Sequence, residues 1–117
     1  MARTAITLNT LTRNTQLEAT TTNVDTTNNH VLTADDAEKV LLVITNTTGS
    51  DKTCTVVAGD SPPAVRKGIG DLTFTVTNTE TRYLMIETAR FLQSDGTINI
   101  DLQAGYTGGT ITAIALP

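Results

Sequence analysis

Apolar and polar residues alternate along much of this chain with the period of a β-strand. In Leu72-Thr73-Phe74-Thr75-Val76-Thr77 the apolar side chains fall on one face and three threonines on the other. Ile98, Ile100 and Leu102 repeat the pattern, with Asn99 and Asp101 facing out. Ala5-Ile6-Thr7-Leu8-Asn9-Thr10-Leu11 and Arg82-Tyr83-Leu84-Met85-Ile86 read as two further strands. Val40-Leu41-Leu42-Val43-Ile44 is apolar throughout, which predicts a strand covered on both faces at the centre of the fold. Beyond the turn Asn46-Thr47-Thr48-Gly49, Thr53-Cys54-Thr55-Val56-Val57 reads as the return strand of a hairpin. The last strand spans 110–116, with Ile111 on one face and Ile114 and Leu116 on the other, so one apolar face is expected to meet a partner subunit.

Turn residues punctuate these strands. Ala58-Gly59-Asp60 and Pro62-Pro63 end one of them, because proline has no N–H for a ladder, and 58–70 reads as a long loop. Thr33-Ala34-Asp35-Asp36-Ala37-Glu38 predicts a single helical turn capped by Thr33. Glu87-Thr88-Ala89 forms a corner into Arg90-Phe91-Leu92-Gln93, Asp95-Gly96 makes a tight hairpin, and Thr107-Gly108-Gly109 turns the chain again. The expected fold class is all-β: an antiparallel β-sandwich or jelly-roll-like barrel of about seven to eight short strands. Residues 31–117 form one domain. Residues 1–30 form an extended N-terminal arm, whose Thr- and Asn-rich part has too few apolar anchors for a core element, so its removal is expected to leave the domain folded.

Composition agrees with this reading. Thr contributes 26 and Asn 8 of the 117 residues, favouring pleated surfaces and turns over helices. That length allows one core and hardly two. No apolar run approaches the ~20 residues that cross a bilayer, so no membrane partner is expected. Twelve acidic against eight basic residues, a net charge of -4, argue against a protein that grips nucleic-acid phosphates. Met1-Ala2-Arg3-Thr4 opens a polar segment unlike a secretory signal, which predicts synthesis in the cytoplasm.

Candidate chemistry is sparse. Cys54 is the only cysteine, so it has no partner for an internal disulfide or a Cys-based zinc set. His30 is the only histidine, in a turn-like Asn28-Asn29-His30-Val31 setting, and is expected to be exposed or locally bonded. A Cys54 and His30 nucleophile pair lacks the helix start or cation that would lower the thiol pKa. Asp95-Gly96-Thr97-Ile98-Asn99-Ile100-Asp101 places oxygens at alternate positions without calcium-loop spacing, and Gly68-Ile69-Gly70 lacks the third glycine and helix of a phosphate cradle. Arg66-Lys67 suits a solvated loop or an acidic protein surface, and the sequon Asn46-Thr47-Thr48 should stay unmodified without a signal. No catalytic residue, metal, cofactor or small-molecule substrate is therefore expected. The candidate contacts are Ala5, Ile6, Leu8 and Leu11 on the first strand, and Pro62, Pro63, Val65 and Arg66 in the long loop. They lie on segments that a small sandwich has little room to bury. A carbohydrate-binding module is an alternative that needs exposed rings, and only Phe74, Tyr83, Phe91 and Tyr106 could supply them, Tyr106 being the one to test.

The segments Lys39-Val40-Leu41-Leu42-Val43-Ile44-Thr45-Asn46-Thr47-Thr48-Gly49, Val57-Ala58-Gly59-Asp60-Ser61-Pro62-Pro63-Ala64, Gly70-Asp71-Leu72, Glu87-Thr88-Ala89-Arg90-Phe91 and Ser94-Asp95-Gly96-Thr97-Ile98-Asn99-Ile100-Asp101 resemble small virion proteins of tailed bacteriophages, in particular head decoration or capsid cement proteins. The likeness spans residues 39–117 and leaves out the Thr-rich first third. It implies a β-rich, non-enzymatic protein, made in the host bacterial cytoplasm, that binds the outer surface of the assembled head in many copies and stabilises it. The implied partners are the major capsid protein and the chain itself, often as a homotrimer. A tail, neck or baseplate component is the structural alternative.

Overall fold

In a computed structural model that describes residues 2–33, 38–59 and 70–116, the alternating segments fold into two facing five-stranded sheets. In chain order the elements are β1 (Thr4–Ile6), β2 (Leu8–Thr10), β3 (Thr22–Asn23), β4 (His30–Thr33), β5 (Lys39–Thr45), β6 (Lys52–Val56), β7 (Leu72–Val76), β8 (Thr81–Glu87), the single helical turn α1 (Thr88–Phe91), β9 (Thr97–Leu102) and β10 (Thr110–Ala115). One sheet runs β1-β4-β9-β6-β7. The other runs β2-β10-β5-β8, with β3 also on β10. The expected sandwich is therefore present, with ten strands among the described residues. The first apolar stretch splits into β1 and β2, the short β3 and β4 are added, and residues 90–93 form no strand.

The core is the inward half of each alternation. Leu32, Cys54, Val56, Val76, Ile98 and Ile100 from one sheet meet Val40, Leu42, Ile44, Ile86, Ile111 and Ala113 from the other, with Phe91 and Tyr106 closing the ends. At about 25 cal/mol per Å² of apolar area, this burial is the main stabilising term. Leu72 and Phe74 are half-buried because β7 lies at a sheet edge.

Several expectations are corrected by how the strands divide between sheets. β5 and β6 do not form a hairpin; they lie in different sheets, and residues 46–51 carry the chain across. Asn46 holds that crossing. It is fully buried, its Nδ2 donates to the Val76 carbonyl at 2.8 Å and the Ser50 carbonyl at 2.9 Å, and its Oδ1 accepts from Thr48 N at 3.0 Å. The same bonds withhold the sequon amide from modification in the folded chain. β5 is buried on one face only: Val40, Leu42 and Ile44 enter the core, while Leu41 and Val43 are half-buried on the outside. Asp95-Gly96 turns the chain from α1 into β9 and does not join two strands. Two pairings, β1 with β4 and β2 with β10, are parallel, so the sheets are mixed. Neither pair is joined by a hairpin, which would impose antiparallel direction. The helical turn expected over 33–38 and the loop carrying Pro62, Pro63, Val65 and Arg66 fall largely outside the described residues.

The N-terminal segment is extended, and it is woven into both sheets. Between β1 and β2 the chain switches from one sheet to the other at Thr7. Ile6 is 4% exposed and belongs to the core. Asn9 is buried; its Nδ2 donates to Ala113 O at 3.0 Å and Thr20 O at 3.1 Å, and its Oδ1 accepts from Thr20 N at 2.9 Å. This clamp draws residue 20 back beside β2.

Candidate interaction surface

Four described residues singled out for possible chemistry or sugar binding, His30, Cys54, Asp95 and Tyr106, are engaged by the fold. His30 is not in a turn; it lies in β4 and is fully buried. Its Nδ1 donates to the Thr4 carbonyl at 3.2 Å, and its Nε2 accepts from the Asp25 N–H at 3.0 Å, which requires the neutral ring protonated on Nδ1. Cys54 is buried in β6, separated from β4 by β9, and desolvation pushes its thiol up to about 12. Neither residue has a free partner for the other. Asp95 Oδ1 accepts from Thr97 Oγ1 at 2.6 Å and from Thr97 N at 3.2 Å, serving the turn. Tyr106, the ring proposed as a sugar platform, is fully buried; its hydroxyl donates to Thr45 O at 2.6 Å, and burial pushes its pKa up to about 12.

The His30 arrangement fixes a pH dependence. Burial lowers the His30 pKa below its ordinary 6.5. Asp25 is held down to about 2, first by the Thr4 hydroxyl and then by the Asn28 N–H. In the unfolded chain both groups take up protons at higher pH than in the folded one. His30 therefore contributes full stability above pH 6.5 and loses it as pH falls below that value; Asp25 follows between 3.8 and about 2. The unfolding midpoint should fall on acidification from pH 7 to 5, and His30→Gln should flatten that slope. A wild-type midpoint constant across this interval would refute the assignment.

The two outer faces differ sharply. Outside the first sheet stand Thr53, Thr55, Thr73, Thr75, Thr97 and Asn99 with the Arg3–Asp101 ion pair, and towards β1 the apolar Val31 and Ala5; the face is mainly polar, as in sheets that meet water. Outside the second sheet the register aligns Leu41 with Met85 and Ile114, and Val43 with Tyr83 and Thr112. Tyr83 is 70% and Met85 60% exposed, while Leu41, Val43 and Ile114 are half-buried. Five apolar side chains on adjacent strands thus form one contiguous patch, of the kind that marks an interaction site. At the margin of the patch Lys39 lies opposite Glu87, and on the other face of β8 Arg82 pairs with Glu80 at 2.8 Å.

β8 adds a second feature, an open edge. Among the described residues it pairs only with β5, and where the chain passes from β8 into α1 it borders a groove lined by Leu72, Met85, Ile86, Glu87, Arg90 and Phe91. The opposite side of the sandwich is bridged by the β1-to-β2 switch and by residue 20 clamped on Asn9.

Of the contacts expected from sequence, Ala5 is exposed on β1, Leu8 is half-buried against the core, and Leu11 is half-buried with its N–H bonded to Ala115 O at 3.0 Å. Ile6 is spent inside this chain, so the apolar area that marked it as an external contact is already covered. Pro62, Pro63, Val65 and Arg66 lie outside the described residues. Tyr83 enters the sequence reading only as a possible sugar-binding ring, and Met85 is not singled out there. Their signal was the odd spacing: with Ile86 inward, residues 83 and 85 must point outward. Comparison with protein-family models, with curated proteins and with solved structures finds no match to this chain.

Proposed function

We propose that this chain is a structural protein of a tailed-bacteriophage virion, binding the outer surface of the assembled head in many copies and stabilising it by adhesion alone. The observation that carries the reading is the contrast between the two outer faces, one mainly polar, the other with five apolar side chains in register and Tyr83 and Met85 exposed. The likeness of residues 39–117 to head decoration proteins supplies the setting. In this reading the apolar face of the second sheet lies on the major capsid protein, and the polar face meets solvent. A ligand that binds the assembled shell and not free capsomers stabilises it by about 2.7 kcal/mol per site at a hundredfold excess over Kd. Many modest sites suffice.

The test is binding of the purified chain to heads assembled without it. Saturation at hundreds of copies per head is expected. Val43→Lys, which puts a charge at the centre of the apolar face away from the β8 edge, should weaken binding about tenfold. Undiminished occupancy of this variant, or no binding to heads by the wild type, would overturn the reading. Localisation to a single axis in a few copies would favour the tail, neck or baseplate alternative.

A further inference from the structure

We infer that β8 is a self-association edge: two copies of this chain join by antiparallel pairing of their β8 strands about a two-fold axis at Leu84. The inference concerns this edge alone and does not depend on the capsid reading.

The backbone supplies the first argument. Asn46 N donates to Glu80 O at 3.2 Å and Thr88 N to Glu38 O at 3.0 Å, in the same register that sets Leu42 opposite Leu84. Antiparallel ladders alternate, so the even-numbered residues of β8 direct their N–H and C=O groups to β5. Thr81, Tyr83 and Met85 direct theirs to the free edge, where none of the described residues bonds to them. Glu87 directs its N–H there, while its C=O, at the N-cap of α1, accepts the first bond of the helical turn. The edge is seven residues long, without proline among them, and reads Tyr-Leu-Met-Ile at its centre. It carries little of the protection that isolated edges usually have.

The second argument is self-complementarity. Leu84 is the middle residue of Thr81–Glu87, so a two-fold axis there pairs the whole strand with its copy. The free-edge residues then face one another, Thr81 with Glu87 and Tyr83 with Met85; Tyr83 and Met85 can exchange both N–H and C=O, and Glu87 can donate its N–H to the Thr81 carbonyl. Leu84 meets Leu84 of the second copy as a non-hydrogen-bonded pair at the axis. An axis one residue away in either direction would set Tyr83 against Tyr83 or Met85 against Met85. The Leu84 axis makes two sulfur–aromatic pairs. Since the axis is perpendicular to the sheet, both apolar faces point the same way and become one surface.

Charge and area also select a second copy. The whole chain carries -4, which disfavours self-association, but Arg82 with Glu80 and Lys39 with Glu87 leave the β8 margin balanced. A strand of this length spans about 24 Å at about 3.4 Å per residue. A contact made by one strand of this length and its side chains is small, near the lower limit for specific complexes. A reversible dimer, populated at micromolar concentrations and above, is the expected result.

Sedimentation of the full chain across a concentration series should show a mass rising from 12.4 kDa to about twice that value. Met85→Pro removes a donor on the free edge and no bond to β5, and should hold the chain monomeric at every concentration. Met85→Lys should do the same, with an unchanged thermal midpoint as the check on folding. Leu84→Cys should give a disulfide-linked dimer on mild oxidation; the wild type should not, because its Cys54 is buried. A monomer at all concentrations, a trimer, or a dimer indifferent to the Met85 variants and not crosslinked through Leu84→Cys would each overturn the inference.

Discussion

Deleting residues 1–29 is expected to abolish the cooperative unfolding transition. The deletion removes Ile6 from the core, a loss of about 2–5 kcal/mol by analogy with large-to-small substitutions at buried aliphatic sites. It strips the buried His30 ring of the Thr4 carbonyl and the Asp25 N–H, and each buried polar group left unpaired costs about 1–3 kcal/mol. β4 and β10 lose their parallel partners and become raw edges. These losses together approach the roughly 5–15 kcal/mol that separates a folded domain from its unfolded ensemble. The truncated chain should aggregate or show no sharp melting by circular dichroism, whereas Ile6→Ala alone should melt cooperatively at a lower midpoint. A truncated chain that melts sharply near the wild-type midpoint would return the segment to the status of a detachable arm.

Gly109→Ala is the single substitution expected to cost most. Gly109 has φ +133°, a conformation nearly confined to glycine, and an added Cβ would sit deep inside van der Waals contact of the Thr45 carbonyl oxygen and carbon. Those are backbone atoms and cannot rotate aside. They are pinned besides: Thr45 O accepts from the Tyr106 hydroxyl at 2.6 Å, and Thr45 Oγ1 accepts from Thr110 N at 2.8 Å. Relief would require β5 and β10 to part at the point where their ladder begins. A loss above about 3 kcal/mol follows, beyond the strain of the dihedral alone. Gly49→Ala is the control. Its φ is +99° but nothing lies within 4 Å of the added Cβ, so only conformational strain of about 1–3 kcal/mol is expected. Equal effects from the two substitutions would mean that the close approach to Thr45 contributes nothing.

The periodic segments were legible because strand alternation is a local property. Ile98, Ile100 and Leu102 point inward as the alternation requires, and β7, β8 and β10 lie where their patterns place them. His30 and Asn9 were not legible. His30 follows a run of polar residues and Asn9 falls at a polar position of an alternating strand, and the burial of each follows from partners distant in the chain, Ile100 facing His30 across β4 and β9, and Ala113 bonded to Asn9. The same applies to the strand around Val40, where five apolar residues imply two covered faces. One of those faces is outside the sandwich, beside Tyr83 and Met85.

The sequence by itself determined the class of fold, the strands with clean alternation and the lack of partners for Cys54, since each depends on residues within a few positions or on simple counts. Only the tertiary structure decided that β5 and β6 part into different sheets, that the first strand is shared between both, and that β8, among the described residues, ends as an open edge under an apolar face. These outcomes depend on which strands pair. Pairing is set by burial and hydrogen bonding between segments tens of residues apart, where the period of either strand alone carries no information.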